Sequence, residues 1–101
     1  MAEQRVIDNL IENGSDPDLA HDLEYCFRGD QTALERITDA LTSHGYTLLD
    51  GQDLTEGRVV LSKSMMLDFL AIRAESDANE AFAKQFGGEL DGWGASVVSS
   101  T

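Results

Sequence analysis

Proline occurs once in this chain, at Pro17, cysteine once, at Cys26, and tryptophan once, at Trp93. A lone cysteine excludes a disulfide framework within the chain and any metal site built on a cysteine pair. The two histidines, His21 and His44, stand far apart in sequence, so the inventory for a zinc centre or a nucleophile–base pair is thin. Basic residues are scarce as well: seven Lys and Arg face nineteen Asp and Glu, a net charge of −12. Such a chain repels a phosphate backbone, which argues against direct nucleic-acid binding and for a basic protein partner. No apolar run nears the roughly 18 residues of a membrane span, and MAEQRVIDNLIENG is polar and helical rather than a signal-peptide core. The expectation is a cytoplasmic protein that uses no cofactor. Residues 1–101 suffice for one domain with one core, not two.

What is present alternates between helical and strand periods. Residues 2–13 place Val6, Ile7, Leu10 and Ile11 on one helical stripe that Asn13-Gly14 stops. GSDPD is a turn, with Pro17 denying a ladder bond. In LAHDLEYCFRG, Leu19, His21, Leu23, Tyr25 and Phe27 alternate with polar and small residues. Ser15-Asp16-Pro17 could also open a helix, but the unbroken alternation favours a strand. Asp30 caps a helix with the stripe Ala33, Leu34, Ile37 and Leu41, ended by His44-Gly45. YTLLD and RVVLSKSMML are strands joined by the loop GQDLTEG. Asp68 caps a last helix whose buried face is marked by Ile72, Phe82 and Phe86 and whose stop is Gly87-Gly88. ELDGWGASVV is the final strand, and SST frays. This order predicts an α+β protein, a ferredoxin-like split βαβ sandwich with an additional N-terminal helix.

Each chemically suggestive residue has a plain structural use. His21 shares parity with the apolar positions and borders the core, and His44 belongs to a helix end. Cys26 faces away from the apolar set beside Glu24 and Arg28, in a mostly acidic neighbourhood that does not favour a thiolate, and suits burial under a covering helix. NGSDPDLAHDLE fails the calcium-loop frame, because ligand positions fall on Ile11 and Ala20. Met65 and Met66 are expected to fill the core at a strand end. In DGWG, alternation puts Trp93 with Asp91, Ala95 and Val97 as a core anchor, while Gly92 and Gly94 bare the other side of the strand to a close approach.

Two stretches, NGSDPDLAHDLEY and FGGELDGWG, resemble the acidic turn and the DGWG-like signature of the regulator of ribonuclease E activity B (RraB) family. ALERITDALTSHGY and the helix running into the signature fit the same spacing, so the resemblance spans roughly residues 5–95. Leu90 stands where the signature carries an aromatic. The resemblance implies a ferredoxin-like fold and a non-enzymatic module that binds ribonuclease E and lowers RNA cleavage. Its implied partner segment is the basic, non-catalytic region of that enzyme. The acidic residues expected to meet such a segment are Asp16, Asp18, Asp22 and Glu24, with Asp91 beside the signature. The rival expectations are a structural or oligomerisation module and a small-molecule enzyme built on His21.

Overall fold

The computed structural model describes residues 3–16, 19–49 and 54–95. Helix α1 (Glu3–Glu12) leads into strand β1 (His21–Arg28), helix α2 (Gln31–Thr42) and the two-residue strand β2 (Thr47–Leu48). A 3₁₀ turn (Leu54–Glu56), strand β3 (Arg58–Met65), helix α3 (Phe69–Gln85) and strand β4 (Glu89–Ala95) complete the order. The strands form one antiparallel sheet in the order β2-β3-β1-β4. Each βαβ half is therefore split by a strand of the other half, and the class is α+β as the pattern predicts. Pro17, Asp18 and residues 96–101, including the expected end of the last strand, lie outside the described residues.

Both expected caps form. The Asp30 carboxylate accepts the Ala33 amide at 2.8 Å, and Asp68 accepts the amides of Leu70 and Ala71 at 3.0 and 3.3 Å. Each bond satisfies an amide that the first helical turn leaves without a carbonyl. At the end of α3 the Gly88 amide reaches back to the Ala83 carbonyl at 2.8 Å and the Gly87 amide to Lys84 at 3.2 Å. This closure needs the left-handed backbone of Gly87, at φ 85°. Gly88 is needed for a different reason: a Cβ there would stand 2.8 Å from the Arg28 carbonyl oxygen.

The core lies on one side of the sheet. Leu23, Tyr25 and Phe27 of β1, Val59 and Leu61 of β3, and Leu34, Ile37 and Leu41 of α2 are almost wholly buried. Burial of each large side chain is worth about 1.5–3 kcal/mol. Ile7 and Leu10 attach α1 to this cluster, whereas Ile11, placed on the same stripe by its period, is 44% exposed. Met65 packs against the core, but Met66, expected to do so too, is exposed.

The buried stripe of α3 departs from expectation. It is Ile72, Ser76, Asn79 and Ala83, and Phe82 and Phe86 are only half-buried beside it. Their rings stack on each other at 6.4 Å along the flank of the core. Two polar residues occupy the centre of the stripe because their partners are polar groups of distant strands and loops, which a hydrophobic period does not register.

Candidate functional site

The side chains of β1 divide by parity. Asp22, Glu24, Cys26 and Arg28 point away from the core, and all but the half-buried Cys26 are exposed. In register beside them on β3 stand Ser64, Ser62, Val60 and Arg58. On β4 the neighbours are Gly94 beside Glu24, Gly92 beside Cys26, and Glu89 beside Arg28. No described helix covers this face. That corrects the expected setting of Cys26, whose Sγ instead lies 3.5 Å from a guanidinium nitrogen of Arg58.

A bulge decides where β4 points its side chains. The register slips between Cys26 and Phe27, so Gly92 and Leu90 oppose successive residues of β1 and Asp91 is the extra one. Asp91 therefore does not share the inner face with Trp93, as simple alternation suggested. It is exposed and pairs with Arg28 at 3.4 Å. Trp93 opposes Tyr25, with ring centroids 6.2 Å apart, and packs half-buried against the core as an anchor. Gly92 and Gly94 face outward, and a Cβ on either would meet no described residue within 4 Å.

The result is a shallow, open groove of about 310 Å³ along β4, lined by Glu24, Cys26, Arg58, Val60 and the run Asp91–Gly94. Of the acidic residues expected from the sequence, Glu24 and Asp91 meet at this groove, and Asp22 shares its face. Asp16 is half-buried in the connection before β1 and does not line the groove, and Asp18 lies outside the described residues. Arg28 belongs to this face by the parity of β1, and Arg58 joins it unexpectedly. Only the cross-strand register places Arg58 there, and the two arginines make the face mixed rather than purely acidic.

A second polar concentration sits under α3. The Tyr46 hydroxyl donates to Glu75 and accepts from the Asn79 side-chain amide at 2.9 Å. Lys63 reaches the same Glu75 oxygen at 3.3 Å and lies 5.3 Å from the centroid of the Tyr46 ring. The Tyr25 hydroxyl meets Ser76 at 3.1 Å. Burial, reinforced by the hydrogen bond to the Glu75 carboxylate, holds the Tyr46 phenol well above its ordinary range. This network ties α3 to the sheet through satisfied polar pairs. His21 is fully buried, with Nδ1 at 2.8 Å from the Leu19 carbonyl oxygen, so that nitrogen carries the proton. Among the described residues no group of three His, Cys, Asp or Glu is placed to hold a metal ion. No described helix is long and apolar enough to cross a membrane.

The family model described as "Regulator of ribonuclease activity B" matches residues 1–95, nearly the entire chain. The chain belongs to the RraB family. A relative of that printed name from Xenorhabdus nematophila is 32% identical, the match covering 88% of this chain and 68% of the relative. Another, from Pseudoalteromonas atlantica, is 29% identical over 96% of this chain and 89% of its own length. A third, from Escherichia coli, is 29% identical over 88% and 70%. In this RraB-family chain the stretch FGGELDGWG has three consecutive uses. Phe86 to Gly88 close α3, Asp91 forms the bulge, and Gly92 to Gly94 alternate groove floor with core anchor.

Proposed function

We propose that this RraB-family protein is a non-enzymatic regulator that binds a ribonuclease and lowers RNA cleavage, ribonuclease E being the enzyme the resemblance implies. The observation that carries this reading is the family match over residues 1–95. The sheet face that no described helix covers supports it, since a regulator that works by contact needs a surface the core does not consume. The acting unit is the single domain of residues 1–101, working in the cytoplasm on protein rather than on RNA. Its net charge of −12 favours a basic, non-catalytic segment of the enzyme over the RNA itself. Burial of His21 leaves the rival enzyme reading without an accessible base.

The test is RNA cleavage by full-length ribonuclease E and by its isolated catalytic domain, each with and without this protein. Inhibition of the first and not the second is expected. The variant D22N/E24Q should keep its circular dichroism spectrum and associate roughly tenfold more slowly, because these exposed charges steer the encounter. Raising the salt should weaken wild-type binding, since screening acts over about 8 Å at physiological ionic strength. Unchanged cleavage by the full-length enzyme would refute the reading.

A further inference from the structure

We propose that the glycine-floored groove on β4 seats an arginine side chain carried by an extended basic segment of the partner. This rests on the regulator reading above and specifies its contact. Gly92 and Gly94 lie within an edge strand, neither in the left-handed backbone region, and no described residue packs over either position. Glycine weakens a strand, and the fold draws no packing or turn from these two. What they provide is a bare strip of peptide backbone, recessed beside the β1 side chains.

The charges around that strip select the occupant. Glu24 stands beside Gly94 and has no ion-pair partner among the described residues, whereas Asp91 is already paired with Arg28. Arg58 lies at the Cys26 end of the groove and repels a second cation there. An incoming cation is thus driven to the Glu24–Gly94 end. A guanidinium suits this end better than an ammonium. It is flat enough to lie on exposed peptide planes and can meet the carboxylate with two parallel N–H donors. The Ser62 hydroxyl, across β1 from Gly94, is a further acceptor on the same row. The groove is too shallow and open to enclose a small molecule, and its size suits one long side chain of a chain lying along the sheet.

The probe is a blocked hexapeptide of alternating arginine and serine, with lysine replacing arginine in a second peptide, titrated into isotopically labelled protein. The arginine peptide should shift the amides of Glu24, Cys26, Gly92 and Gly94, and the lysine peptide should bind more weakly. Gly94→Val fills the groove floor with a residue that favours strands. Its melting temperature should equal or exceed that of wild type, while peptide affinity falls roughly tenfold, the loss of one well-placed contact. Glu24→Gln should weaken binding similarly. Equal affinity of Gly94→Val and wild type, shifts confined to the helices, or no shifts at millimolar peptide would each overturn the proposal. So would concentration-dependent shifts at the groove without peptide, which would give the site to a second copy of this chain. The ribonuclease assay separates the two readings. Inhibition retained by Gly94→Val removes the groove and leaves the regulator. Peptide in the groove without any effect on cleavage removes the ribonuclease and leaves the groove.

Discussion

Replacing Tyr46 with Phe removes one oxygen from the network under α3 and leaves the packing nearly unchanged. The ring is 4% exposed, and its edge-on contact with Tyr25 at 6.1 Å survives the change. Two bonds are lost, the donation to Glu75 and the acceptance from Asn79. A hydrogen bond to a charged group contributes about 1.5–3 kcal/mol, and a buried group left without its partner costs about 1–3. Glu75 keeps Lys63, so the penalties do not simply add, and a loss of about 2–4 kcal/mol is expected. For a chain of this size that lowers the melting temperature by roughly 10–25 °C. Urea unfolding followed by circular dichroism measures the loss directly. The pH dependence supplies a second check. The folded protein holds the phenol proton above the ordinary value of 10.0, while the unfolded chain releases it there. Stability from this group is therefore complete below pH 10 and declines as the pH rises beyond it, by about 1.4 kcal/mol per unit. The Phe variant lacks the group, so the gap between the two proteins should narrow from pH 10 upward. A penalty under about 1 kcal/mol, or a gap constant from pH 9 to roughly 11.5, would refute this account of the network.

Gly88→Ala should destabilise by about 1–3 kcal/mol in urea unfolding, because its Cβ meets the Arg28 carbonyl oxygen at 2.8 Å and Ile37 Cδ1 at 3.0 Å. A neutral result would show that β1 and the end of α3 are less closely apposed. Phe82→Ala should cost about 1–2 kcal/mol, below the 3–5 of a fully buried phenylalanine, since its ring lies between His44 and Phe86 at the core's flank. A cost above 3 would move it into the core. Trp93 fluorescence should be blue-shifted in the native protein and move red on unfolding, with iodide quenching it poorly. Free quenching of the folded protein would place the indole outside.

The strands and caps were legible because each rests on local chemistry. Period-two alternation fixed β1 against the helical reading of its Ser15-Asp16-Pro17 lead, and Asp30 and Asp68 are short acceptors immediately before their helices. The α3 stripe was not legible, since Ser76 and Asn79 are buried by partners 51 and 33 residues away in sequence. Parity alone placed Asp22 and Glu24 on a common face and bared Gly92 and Gly94. It misplaced Asp91, because alternation carries no mark of a bulge. The same parity placed Arg28 beside Glu24 and Cys26, but Arg58 was not legible there. Arg58 is 32 residues from the cysteine it meets, and only the pairing of β1 with β3 joins them.

The extra residue in β4 makes position 91 tolerant of both identity and loss. Any polar side chain there loses only an exposed ion pair, worth at most about 1 kcal/mol. Deleting the residue would remove the bulge, because Leu90 and Gly92 already oppose successive residues of β1 and would become neighbours in an unbroken ladder. Trp93 would stay opposite Tyr25 and Gly92 and Gly94 would stay outward, with only the Asp91–Arg28 pair lost. Among related chains, both substitution and loss of this one residue should therefore occur without a compensating change elsewhere in the strand.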